Sequence, residues 1–480
     1  MNARMTWLSD AEIESIVEEA LGILERTGMR MASSRVLGAL AAAGARVESE
    51  CVRLPRELVR ESLDRCPREV TLAGISYEDD VVLDGRQSYF AVSGCGGKTV
   101  DYRSGKLRPS TLIDLREGTS VLDATDELDV VWTFLTANDV AEERRQLVEY
   151  YTCLTETRKP VVVVEGPSHP DALQRVIELA GDAGTAGAAR PRVSVLCAAH
   201  SPLDVNGALL DTTIRFAALG APAWVYSMPI EGATSPVTLA GTLALAWAEI
   251  LGMITAIKTS ATGAAVIACC GAGVLGMQTG VISLGCLENS VMGGGAVQIG
   301  HHLDLPTHIA GLATDAKHLG VQMGYEQGMK VLAAVLTGAD TISGGFGLLD
   351  SCSAFFLPMI PVDAEIAAVA RRMAQGITVT PETLMDDAIA RVGIGGEYLS
   401  EKQTRRRVRA GEHFVPRIAS RMPLDRWIGQ PATETDVAVT LVEDTLARRR
   451  QRGPYMGDAV RAELAAVCGV TRAEAEEAWL

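Results

Sequence analysis

Residues 223–269 read AWVYSMPIEGATSPVTLAGTLALAWAEILGMITAIKTSATGAAVIAC and carry one complete folding unit. A short β-branched and aromatic run (223–228) is followed by a polar loop. An Ala- and Leu-rich segment of helical length (235–258) comes next, and a second β-type run (264–269) closes the unit. Strand, helix and strand in that order imply parallel pairing, because two parallel strands need a crossover long enough to hold a helix. Working outward, the same pattern appears eight times, with strand-type runs at 89–93, 130–136, 161–165, 193–199, 223–228, 264–269, 306–311 and 340–344. The segments 142–157 and 170–180 are the clearest of the other intervening helices. Eight such units close into an α/β barrel with no exposed strand edge. An open doubly wound sheet is the alternative, since periodicity does not show closure; no Gly-x-Gly-x-x-Gly follows the first strand to favour its dinucleotide-binding form.

The predicted fold is therefore an α/β TIM-type (β/α)8 barrel over 86–368. Before it, residues 1–85 read as helices at 10–27 and 34–43 and a small βαβ-like stretch at 52–72. After it, 369–480 reads as a helical, Arg-rich accessory segment, either a lid or an oligomer contact, which makes the chain a candidate homo-oligomer.

The chain has 480 residues, 48% of them hydrophobic, and a formal net charge of -16. That charge opposes binding to nucleic acid, and the one short basic run, 405–409, does not offset it. The amino terminus alternates acidic and apolar residues without the basic start of a signal peptide. The longest apolar stretch, 237–257, contains Glu249 and reads as a buried helix, so a cytoplasmic protein with no membrane partner is expected. Ten scattered cysteines read as small buried hydrophobes. No histidine spacing suits a metal, the adjacent His301 and His302 included, and neither a phosphate cradle nor a Gly-x-Ser-x-Gly elbow is present.

In a parallel barrel, functional groups come from the loops after the strands. Those loops hold Gly94, Cys95 and Gly96, Asn138 and Asp139, Glu165, His200 and Ser201, Glu231, Thr314, Asp315 and Lys317, and Phe346 with Asp350. Such polar residues also serve as helix caps, and Asn138, Asp139 and Ser201 fit that plainer role best. The densest stretch runs from 311 to 326, where Gln322 and Tyr325 fall on one helical face. Lys317 at a strand end also admits Schiff-base chemistry, although no apolar pocket that would lower its pKa is visible in the sequence.

Several motifs in fixed order carry a family resemblance. They are DYRSGKLRP at 101–109, EGATSPVTLAG at 231–241, ATDAKHLGVQMGYE at 313–326, VDAEI at 362–366 and VGIGGEYL at 392–399, followed by the spacing of Phe414, Pro416, Arg421 and Trp427. From about residue 10 to 450 the chain resembles the trimethylamine methyltransferase family, corrinoid-dependent methyltransferases of methylamines and quaternary amines. The resemblance implies a barrel and a methyl group leaving nitrogen for Co(I). The corrinoid is carried by a separate protein, and this chain, lacking an Asp-x-His-x-x-Gly signature, is expected to bind no cofactor itself. Containing only standard residues, the chain resembles the non-pyrrolysine members, whose substrates are quaternary amines such as glycine betaine. It departs from the family at Lys402, Gln403 and Thr404, where a His-Thr pair is common.

A quaternary ammonium leaves as a neutral amine, so the protein has to hold a cation, exclude water and aim one methyl. Aromatic faces serve that need. The candidates are Tyr102, Trp132, Phe134, Trp224, Tyr226, Tyr325, Phe346, Phe355 and Phe356. Those inside strands (Trp132, Phe134, Trp224) read first as core. Glu231, Asp315 and Tyr325 are the predicted catalytic group. Phe346, Gln322 and Tyr102 are predicted to contact substrate, and His301, His302 or Lys317 to receive a substrate carboxylate. Two rivals on the same barrel are a lyase or aldolase using Lys317 and a non-catalytic betaine-binding protein.

Overall fold

The computed structural model describes residues 4–94, 96–163, 169–181 and 190–476. Cys95 and Glu165, both candidates above, lie outside the described residues. Eight parallel strands form a closed ring: β1 Tyr89–Val92, β2 Val130–Trp132, β3 Val161–Val163, β4 Val193–His200, β5 Ala223–Ser227, β6 Val266–Cys270, β7 Thr307–Ile309 and β8 Thr341–Gly345. Each pairs with its sequence neighbours, and β8 returns to β1 through Thr341 opposite Tyr89. Closure rules out the open sheet. It follows from Val-rich runs such as Val161–Val163, buried on both faces as a parallel strand between core and helix has to be.

Helix Leu239–Ser260 is long and apolar enough to cross a membrane by composition, yet it is buried within the fold. Its hydrophobicity extends around the whole cylinder because it is covered on both sides. The barrel lies under one side, and helices Asp10–Arg26 and Arg56–Leu63 lie over the other. The amino-terminal strap is tied down at Gln298, which accepts from the backbone NH of Trp7 and Leu8 and donates to Leu8 O.

A hairpin, Val70–Leu72 against Val81–Leu83, inserts Val70, Leu72, Val81 and Leu83 into the amino-terminal end of the barrel, against Ala91, Val130, Val162 and Ile267. The barrel is therefore plugged below. Past the last barrel helix, Met359–Gln375, the chain runs out through residues 376–433. It then returns as Glu434–Arg452, packed on Met359–Gln375 and Leu112–Asp123. Buried Glu156 holds this returning helix through Arg449 at 2.9 Å, while Arg116 lies 3.4 Å away on its other side.

Candidate active site at the barrel mouth

Period-two alternation turns Trp224 and Tyr226 of β5 to the same, inward side. Trp132 of β2 and His308 of β7 meet them there. Trp132 and Trp224 pack edge to face with centroids 5.0 Å apart. The His308 ring stacks on Trp132 at 5.1 Å and 25°, and Tyr226 closes the group 6.0 Å from His308. Trp132, Trp224 and His308 are buried, whereas Tyr226 at the upper end of the stack is partly exposed. The fold reserves room for it: a Cβ at Gly271 would lie 2.0 Å from the Tyr226 hydroxyl.

Burial pushes the His308 imidazole down to about 3, so the ring is neutral. Its hydrogen bonds define the tautomer. Thr341 Oγ1 donates to Thr307 O, so it accepts from His308 Nδ1–H at 2.9 Å. Nε2 then accepts from the Ser343 hydroxyl at 3.0 Å, and Ser343 Oγ accepts from Ser93 at 2.8 Å. A hydroxyl relay therefore links the partly exposed Ser93 at the rim to an uncharged ring in the floor.

Two small sheets stand over the mouth. One joins Ile230–Glu231, Gly273–Gly276 and Val281–Ser283 from the loops after β5 and β6; the other joins Lys98–Val100, Leu107–Pro109, Leu348–Leu349 and Ala354–Phe355 from the loops after β1 and β8. Asp315, after β7, stitches them together. It accepts from the Ser283 hydroxyl, from Gly285 NH at 2.9 Å and from the Ser351 hydroxyl. Burial opposes its charge, but these bonds and nearby Lys330 hold the carboxyl below its usual range. Lys330, almost wholly buried and pushed down to about 8 by burial, donates to Leu284 O and Ala313 O. Glu326 accepts from Thr314, from Asp315 NH and from Gln322.

The predicted residues separate on this frame. Glu231 sits on the first lid sheet, with one carboxylate oxygen enclosed and without a hydrogen-bond partner. Burial, and then Glu288, raise its pKa. Tyr102 lies beside the second lid sheet with its ring under Arg103 and its hydroxyl enclosed. Asp315 is committed to the lids. The expectation that Glu231, Asp315, Tyr325 and Phe346 surround one cavity is not met. Tyr325 is 55% exposed on the outer face of helix Val321–Thr337, and Gln322 beside it is exposed and bonded to Glu326. Phe346 is buried outside the ring against Phe90. His301 pairs with Asp340, and His302 with Glu14, at the plugged end, because a barrel helix runs antiparallel to its strands and ends below. Lys317 is exposed and ion-paired to Asp350 at 2.5 Å, in no apolar pocket.

Of the three residues read as helix caps, Asp139 serves a helix start, though of another helix, while Asn138 and Ser201 cap none. Asp139 accepts from Leu112 NH at the start of another helix, Asn138 donates to Gly97 O and Ser110 O, and Ser201 donates to buried Glu249. Sequence reasoning missed His308 and Ser343. A histidine flanked by two outward residues in a strand already points into the ring, and that signal was available. Among the described residues no cluster of His, Cys, Asp and Glu is arranged to hold a metal ion, and nine cysteines are free.

The trimethylamine methyltransferase (MTTB) family model matches residues 1–476. The chain belongs to that family. Curated relatives in the trimethylamine methyltransferase family include trimethylamine methyltransferase MttB of Desulfitobacterium hafniense (strain DSM 10664 / DCB-2), 28% identical, with 89% of this chain and 86% of that protein covered. The glycine betaine methyltransferase of Desulfitobacterium hafniense (strain Y51) is 26% identical with 88% of each covered. Trimethylamine methyltransferase MttB1 of Methanosarcina mazei is 30% identical over 75% of this chain and 74% of that one. The hydroxylamine complex of MtmB superposes with a TM-score of 0.54 at 11% identity, covering 94% and 90%; it shares the barrel fold. Family membership makes the chain a methyltransferase.

Proposed function

We propose that this enzyme takes a methyl group from a quaternary amine of the glycine betaine kind and passes it to the corrinoid of a separate carrier protein at the barrel mouth. The observation that carries this reading is the stack of Trp132, Trp224 and Tyr226 around a neutral His308. It presents π-electron density without competing positive charge, as a fixed cation requires. Curated relatives named for trimethylamine and glycine betaine support the substrate class. Tyr226 meets the ammonium from the floor, and Glu231 supplies the counter-charge from the lid. The C–N bond breaks with its electron pair left on nitrogen, so a neutral tertiary amine departs and no residue needs to donate a proton. A Co(I) corrinoid supplies the nucleophile. The lids keep water from the cation, and Asp315 is a positioning residue that acts through them.

Incubating the enzyme with a Co(I) corrinoid carrier and trimethylamine, glycine betaine, carnitine and proline betaine tests the proposal. Methylation of the carrier, seen as its absorbance change with at least one amine, is expected. Tight amine binding by calorimetry with no methylation across the panel would leave only a binding protein.

Tyr226→Leu is expected to weaken binding of the methylated ammonium by about 3- to 30-fold, the range of one cation–π contact. The uncharged carbon isostere of the same ligand should bind both proteins alike; equal losses for both would point to shape rather than charge. Because Glu231 is charged only above its raised pKa, amine affinity should increase as the pH rises through it. Glu231→Gln should flatten that calorimetric profile, and an unchanged slope would remove Glu231 from the site.

A further inference from the structure

Thr307 O sets the direction of every hydrogen bond between the floor of the ring and its rim. A backbone carbonyl has no proton to give, so the Thr341 hydroxyl donates to it at 3.1 Å and has only lone pairs left for His308 Nδ1, 2.9 Å away. The ring proton therefore sits on Nδ1, and the Ser343 hydroxyl donates to Nε2 at 3.0 Å. Ser343 Oγ then has only lone pairs for Ser93, whose hydroxyl donates to it at 2.8 Å. Ser93 ends the chain. Its one proton points inward, no donor among the described residues reaches its oxygen, and the residue is partly exposed just beyond β1. Thr307, His308, Thr341 and Ser343 are all buried, so bulk water does not compete for these bonds.

Hydrogen bonds aligned head to tail polarise one another, and here each one pushes electron density toward the Ser93 oxygen. Ser93 follows β1 and Tyr226 lies on β5, four strands away in a closed ring of eight, so the two stand across the mouth from each other. We propose that the chain from Thr307 to Ser93 is the orienting device of the site: it offers the substrate an acceptor and never a donor. The methylammonium lies between Ser93 and the Tyr226 ring, and a substrate carboxylate is turned to another wall. The inference rests on the reading of this chamber as an ammonium site. Ser93 becomes a specificity-determining residue that meets the polarised N-methyl hydrogens through C–H···O contacts. Thr341 and Ser343 are positioning residues that act through it. Because the chain ends on a carbonyl it relays no proton, which suits a reaction whose departing amine needs none.

Two ligands that need no corrinoid test this by calorimetry. Tetramethylammonium carries the charge without a carboxylate; 3,3-dimethylbutanoate carries the carboxylate on an uncharged trimethyl group. Thr341→Val leaves His308 Nδ1 with nothing to donate to, and since a buried N–H is seldom left unpaired, the proton is expected to move to Nε2. Ser343 then accepts from the ring and donates to Ser93, which turns its own proton to the chamber. Tetramethylammonium should bind this variant about 5- to 30-fold more weakly, the worth of two lost C–H···O contacts, while 3,3-dimethylbutanoate binds as well as before or better. Ser343→Ala, which cuts the chain and frees the Ser93 proton, should move the two ligands in the same opposed directions. Histidine 15N spectra, with His308 assigned by its loss in His308→Asn, should show Nδ1–H in the wild type and Nε2–H in Thr341→Val. Equal losses for both ligands, or a wild-type ring protonated on Nε2, would overturn the proposal. A wild type that binds no tetramethylammonium would sink the ammonium reading with it, whereas normal methylation of the carrier beside a ligand ratio indifferent to both variants would remove the relay alone.

Discussion

Asp315→Ala is expected to destabilise the protein by about 2 to 4 kcal/mol, because donors placed for one carboxylate lose it together. The Ser283 and Ser351 hydroxyls and Gly285 NH would face a cavity, and buried Lys330 would lose one of its counter-charges. Activity should suffer in a recognisable way: the loops after β6 and β8 lose their common tie, so the KM for the amine rises while kcat falls. Urea unfolding and steady-state rates measure both. The sign with pH is fixed by the lowered folded pKa. The carboxylate's contribution is present above its unfolded value, about 3.9, and fades as the pH drops through the lower folded one. An Asp315→Ala enzyme with wild-type melt and wild-type KM would exclude the stitching role.

Asp363→Asn is expected to act in the opposite direction, raising stability at pH 8 by up to about 4 kcal/mol, the free energy that separates a carboxyl held at about 7 from an ordinary one. Asp363 is fully buried beneath the turn after β8, where Oδ2 accepts from Gly347 NH at 2.9 Å and Oδ1 has no partner. Burial pushes its carboxyl up to about 7. Gln327, buried nearby, has its Oε1 unpartnered while its Nε2 donates to Leu312 O. Two acceptors in one dry space ask for a proton between them. With a folded pKa above the unfolded one, the stability is fully present below about 4 and is lost as the pH rises through about 7. Asparagine keeps the acceptor for Gly347 and gives Gln327 a permanent donor. Thermal melts at pH 5 and 8 should therefore separate for the wild type and coincide for the variant; parallel curves would refute the shared proton.

The ring of eight strands was legible because each run was β-branched, bounded by Gly or polar residues, and followed by a helix of the right length. The helix 170–180 matched its observed bounds, Pro170–Ala180. The site was legible only in outline. Position after a strand singled out Glu231, which does stand over the barrel mouth, but gave Phe346 the same weight, although its positive φ turns the ring outward onto Phe90. Aromatics within strands were read as core, and Trp132 and Trp224 are core by burial; yet in so small a ring the core is also the floor of the mouth. His301 and His302 stood out by adjacency, but their place at a helix end puts them on the wrong side of the barrel. Lys317 drew notice by following a strand, while Lys330, thirteen residues further on within helix Val321–Thr337, was invisible to that rule because its burial depends on loops remote in sequence.

The hairpin 70–83 has a kinetic consequence. By corking the far end of the ring it leaves, among the described residues, the mouth as the approach to the ring's interior, and in the proposed reaction three species have to share it: the incoming amine, the docking carrier and the demethylated product. The amine must then enter before the carrier covers the opening, and the spent amine must wait for the carrier to lift away. Such a chamber imposes an order of events on chemistry that, on its own, would need none.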